Sequence, residues 1–102
     1  MRELSFREMR LFRIFRTEIA AAYDVCVEMH ELKELVLTCE IQNHKARVEA
    51  ERLRLSFEHH DNRARKIRRA LEKPFEDEFQ ASNKSIHTRL IEYSVPLYNF
   101  FF

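Results

Sequence analysis

Residues 46–71 read ARVEAERLRLSFEHHDNRARKIRRAL. Within them Ala46, Ala50, Leu53, Phe57, His60, Ala64, Ile67 and Leu71 follow one another at spacings of 4, 3, 4, 3, 4, 3 and 4. Seven residues make almost two helical turns, so side chains at this rhythm form one stripe along an α-helix. A stripe that is apolar and partly small predicts a long helix lying against a neighbour. It runs in phase through Glu58-His59-His60-Asp61-Asn62, whose composition alone suits a loop. An unbroken helix over 45–72 is therefore expected.

Upstream, Ser5 and Glu8 stand at capping-box spacing, and Leu4 and Met9 at hydrophobic-staple spacing. Phe12, Phe15, Ile19, Ala22, Cys26 and Met29 then keep the helical rhythm, and Leu32, Leu35, Val36 and Cys39 continue it. Leu11, Ile14, Tyr23 and Val25 widen this stripe, which suits contact with more than one helix. A helix over 5–41 follows. Gln42, Asn43 and His44 mark the break before the second helix, with a continuous helix as the competing reading.

Downstream, Pro74 ends the second helix and suits the first turn of a short helix over 74–80. Residues 81–85 read as a linker. Ile86–Tyr93 could form a final helix, but Ile91, Tyr93, Val95 and Leu97 alternate, and Pro96 interrupts. The segment 86–102 is therefore read as an aromatic C-terminal segment, extended towards its end and lying over the helices or over another subunit. The fold class expected for 1–102 is a single all-α domain: an antiparallel long-helix hairpin or coiled-coil-like bundle with a short third helix. Two long rods in a chain of 102 residues bury their stripes most readily by pairing with a second copy.

Composition limits the chemistry. The chain has no glycine and 2 prolines, which argues against a glycine-dependent phosphate loop. Net charge is +1, but residues 24–40 carry five acids against one lysine, and residues 45–73 carry ten bases against five acids. Antiparallel packing would set these segments side by side. Cys26 and Cys39 lie in helical patterns with no C-x-x-C, so both are expected as free thiols. Charges every two or three positions in residues 1–18 do not suit a signal peptide, and no 18-residue apolar run exists. A cytoplasmic protein without membrane contact is the resulting expectation.

His30, His44, His59, His60 and His87 show neither H-E-x-x-H nor the Glu-x-x-His pairs of di-iron bundles. His60 falls within the stripe, where a polar layer with a carboxylate or backbone partner is expected. Neither Cys26 nor Cys39 has a histidine in a persuasive local arrangement for nucleophilic catalysis. The reading is that of a non-enzyme without cofactor or metal: a protein-interaction module such as a small adaptor, chaperone-like partner or inhibitor. Its expected contacts are Arg13, Arg16, Arg65, Arg68, Arg69, Tyr98, Phe100, Phe101 and Phe102, and its oligomer seam is Ala50, Leu53, Phe57, His60, Ala64, Ile67 and Leu71. The partners expected are a second copy and another protein. The alternative is nucleic acid, bound through Arg47, Arg54, Arg63, Lys66 and Arg68 on the basic face of 47–73.

Overall fold

The computed structural model describes residues 5–72 and 78–102, and the side chains of these except at 72 and 78–83. The chain is an all-α three-helix bundle: α1 spans Phe6–Leu37, α2 Asn43–Glu72 and α3 Glu78–Phe101. It is a rod of 55 × 19 × 16 Å. α2 runs antiparallel to α1. α3 returns parallel to α1, since Phe15 meets His87, Tyr23 meets Tyr93 and Lys33 meets Phe100.

The 46–71 stripe is buried along α1 of the same chain. Ala46, Ala50, Leu53, Phe57, Ala64 and Leu71 are inaccessible, while Ile67 is half-buried against the same core. From α1 the core takes Phe15, Ile19, Ala22, Val25, Cys26, Met29 and Leu32. The seam expected between subunits is thus filled inside one chain.

α1 begins as its sequence requires. The Ser5 hydroxyl accepts from the Glu8 amide at 3.2 Å, and Glu8 Oε2 accepts from the Ser5 amide at 3.1 Å. Leu4 of the expected staple lies outside the described residues.

The end of α1 corrects the expected boundary at residue 41. The helix stops at Leu37 in a Schellman motif: Glu40 N–H donates to Leu35 O at 2.9 Å, and Cys39 N–H to Val36 O at 3.1 Å. This motif needs a left-handed residue, and with no glycine in the chain Cys39 takes that place at φ 59°. Cys39 consequently sits exposed, outside the stripe, and Ile41 packs back on the core.

The C-terminal segment also departs from expectation. α3 is helical through residues 81–85, read as a linker, and on to Phe101 instead of becoming extended. Of the short helix expected over 74–80, residues 74–77 lie outside the described residues and 78–80 open α3. The inward positions of α3 are His87, Leu90, Ser94, Leu97 and the half-buried Phe101, a 3-4-3-4 stripe in which two members are polar. Pro96 removes one amide from the helix ladder, but Pro96 and Glu92, four residues earlier, are both exposed, so water can serve the released carbonyl.

Two substitutions test these points by urea unfolding. Cys39→Gly should raise stability by about 1 kcal/mol by relieving the left-handed backbone. Pro96→Ala should raise it by about 1–3 kcal/mol by restoring the helix ladder.

Candidate functional site

Three helices with polar groups inside the bundle must pair those groups, because an orphaned buried charge is costly. Two clasps achieve this. In the first, buried Glu18 of α1 meets His60 of α2, with Nδ1 2.6 Å from Oε2, while Arg63 Nε stands 3.4 Å from the other oxygen. This is the carboxylate partner expected for a histidine in the α2 stripe.

The second clasp joins α2 to α3. His87, 2% exposed, places Nε2 2.5 Å from Asp61 Oδ1 and Nδ1 3.1 Å from Arg68 Nη1. A guanidinium only donates, so Nδ1 accepts and the ring proton lies on Nε2, pointing at Asp61. Arg65 Nε donates to the other Asp61 oxygen at 2.9 Å. The result is one chain of hydrogen bonds, Arg68 to His87 to Asp61, with Arg65 closing on the same carboxylate. The Phe15 ring packs on His87 in a T-shaped arrangement with 6.2 Å between centroids.

An Asp–His pair invites comparison with general-base catalysis. Here the ring nitrogen that would take a proton from a nucleophile faces Arg68 instead, so the pair fixes positions and does not activate a hydroxyl. Burial pushes the Cys26 thiol up to about 12, which keeps it a thiol and a poor nucleophile. Cys26 and Cys39 are both free. Among the described residues no group of three or more His, Cys, Asp or Glu could hold a metal ion. Among those residues no helix is long and apolar enough to cross a membrane.

Arg52, Arg54, Arg63, Arg65 and Arg68 of α2 are drawn into pairs. Arg54 hydrogen-bonds Glu51 and, at 3.1 Å, Glu58, and Arg52 bonds Glu49. Hydrogen bonding to Arg52 and Arg54 holds Glu49 and Glu51 below the usual carboxylate range. Of the five residues expected to contact nucleic acid, Arg54, Arg63 and Arg68 have partners inside the chain, while Arg47 and Lys66 are exposed. Among the expected protein contacts, Arg13, Arg16 and Arg69 are exposed on α1 and α2, while Arg65 and Arg68 are half-buried in the clasp.

The C-terminal aromatics cap the bundle end formed by the α1–α2 turn. Tyr98 packs edge-on to Phe57 at 5.8 Å and to Phe102 at 5.7 Å, and Phe101 is half-buried on the core. Lys33 of α1 lies over the Phe100 ring at 5.2 Å, and Arg54 of α2 over Phe102 at 5.7 Å. Phe100 and Phe102 nevertheless remain 37% and 52% exposed, and Val48 is exposed close by. Val48, Phe102, His44, Arg47 and Glu51 line a groove of about 480 Å³.

Glu18, Asp61 and His87 did not emerge from the sequence as site residues. Asp61 was hidden in the polar 58–62 run, and His87 carried no partner within reach along the chain. Comparison of the chain with protein-family models, curated proteins and solved structures finds no match.

Removing Asp61 leaves the buried His87 Nε2–H without an acceptor. Asp61→Ala should therefore lower stability by about 1–3 kcal/mol. Glu18→Ala should lower it by less, because His60 reaches solvent at the bundle surface. Urea unfolding of both variants measures the difference.

The Tyr98 hydroxyl is buried with no hydrogen-bond partner among the described residues, and burial chiefly, with Glu58 adding to it, pushes the phenol up to about 12. Tyr98→Phe should leave stability at neutral pH unchanged or raise it by up to about 1 kcal/mol. The unfolded chain releases its Cys26 and Tyr98 protons near 9 and 10, whereas the folded chain holds both to about 12. Stability should fall as pH rises through that window, and Tyr98→Phe should flatten the upper part of the fall. Unfolding curves recorded from pH 8 upward check the slope.

Proposed function

We propose that this chain is a non-catalytic protein-interaction module that docks its partner at the aromatic end of the bundle. The observation carrying this reading is the state of Phe100 and Phe102. Both rings are held by cations of α1 and α2 yet stay substantially exposed. Anchored aromatic rings beside arginine are the side chains that dominate binding energy at protein interfaces.

The adjoining groove supplies an apolar floor, Val48 and Phe102, with a rim of Arg47, His44 and Glu51. It suits a partner that presents an apolar side chain next to a carboxylate. An adaptor, chaperone-like or inhibitory role fits such a surface, as does pairing with a second copy of the chain. The nucleic-acid reading is disfavoured because three of its five cations are engaged inside the chain.

The test compares the wild type with Phe100→Ser/Phe102→Ser by sedimentation velocity and by quantitative capture of cellular proteins at moderate salt. The wild type should self-associate or retain one defined protein. The double variant should bind about tenfold more weakly while still unfolding cooperatively, its melt lowered only by the lost ring contacts. Equal binding by both forms, or retention of nucleic acid alone with release by salt, overturns the reading.

A further inference from the structure

α1 turns its apolar stripe to α2 and α3, and its opposite side is charged in two blocks. Arg10, Arg13 and Arg16 are exposed there on the N-terminal half, and Glu28, Glu31 and Glu34 on the C-terminal half. Each trio repeats every third residue, a spacing at which like charges repel along a helix. The order of the blocks also opposes the helix dipole, which favours acids near the start and bases near the end.

The chain does little to answer these charges itself. Arg10, Arg13, Arg16 and Glu31 take part in no ion pair among the described residues. Glu34 stands 3.8 Å from His30, and the charge of Glu28 is felt by Arg52 of α2, which bonds Glu49 instead.

The two blocks are symmetric about the level of Ala22. Arg10 and Glu34 each lie 12 residues from it, Arg13 and Glu31 lie 9, and Arg16 and Glu28 lie 6. The exposed apolar residues Met9 and Leu35 are each 13 away, so they obey the same symmetry. Near the centre the outward residue is Ala20, small enough for another backbone to come close. A second α1 laid antiparallel on this face, with its own Ala22 at the same level, sets every arginine opposite a glutamate. A parallel α1 would set arginine against arginine.

We propose that the outer face of α1 pairs antiparallel with the same face of a second copy, about a two-fold axis at the level of Ala22. The axis repeats each contact, so the three Arg–Glu pairs become six, with Met9 against Leu35 at both ends. Such pairs are exposed and individually weak, and salt screens them. The dimer therefore belongs to low salt. At the moderate salt that tests the aromatic end it is weakened, so the two surfaces are read apart, and neither depends on the other.

Sedimentation velocity over a range of protein concentrations, at about 20 mM and about 300 mM salt, tests the pairing. The wild type should dimerise at the lower salt and about tenfold more weakly at the higher. Phe100→Ser/Phe102→Ser should keep this low-salt dimer. Arg13→Glu/Arg16→Glu should be monomeric, and so should Glu28→Arg/Glu31→Arg, because each reversal sets like charges across the axis. Mixing the two variants restores every pair, so the mixture should form a one-to-one heterodimer. All four residues are exposed, so the reversals leave the core intact. The proposal is overturned by a wild type that stays monomeric at low salt, by reversed variants that dimerise alone, or by a mixture that does not associate. Capture of a DNA duplex or of a different protein through these residues, in preference to a second copy, overturns it as well.

Discussion

The α2 stripe can be covered only once, and α1 covers it. Ala46, Ala50 and Ala64 bring α2 close to α1, and Leu53, Phe57 and Leu71 fill the remaining space. α1 has the wider apolar arc and therefore serves both neighbours. Its Phe15 meets His87 of α3, and its Tyr23 meets Tyr93. α3 packs more extensively on α1 than on α2. Its attachment to α2 therefore rests heavily on a few specific contacts, the Asp61–His87 clasp near one end and Tyr98 on Phe57 towards the other.

Burying Asp61 and His87 gains little stability over an apolar pair of the same shape, because desolvation offsets most of the attraction. What it gains is position. An apolar α3 could slide along the groove of the hairpin with little change in buried area. A hydrogen-bonded chain through His87 is satisfied at only one register. Glu18 and His60 do the same between α1 and α2, so the α1–α2 and α2–α3 pairs each carry a polar clasp that sets their alignment.

The hairpin was legible in the sequence because its signal is one of period. Eight positions in 46–71 and a matching series in α1 can be satisfied only by two long helices. The Ser5–Glu8 cap was legible because its partners are local. The end of α1 was not, since a left-handed cap is normally written as glycine and here is written as Cys39. α3 was misread for a related reason. Its inward stripe includes His87 and Ser94, so hydropathy alone broke the 3-4 rhythm and left the chance alternation of Ile91, Tyr93, Val95 and Leu97 in view. Pro96 reinforced that reading, although its missing amide faces solvent. The clasp residues are polar groups distant in sequence, and only the packing of three helices brings them together.

This division of labour leaves α3 to shape much of the bundle's surface. α1 and α2 turn their apolar stripes toward each other, and Arg52 and Arg54 of α2 bond Glu49, Glu51 and Glu58 of their own helix. The clasp with α2 and the exposed rings at the bundle end both need α3, one through His87 and the other through residues 100–102. Between them Ser94 donates to Ile91 O at 2.8 Å, and Pro96 interrupts the ladder on the outer face. The two halves of α3 are thus held by different forces, a directional polar clasp and a less directional aromatic cluster. Aromatic packing tolerates small rotations that a hydrogen-bonded chain does not. The C-terminal half of α3 is accordingly the part with more freedom to rotate, while the clasp keeps the helix in register.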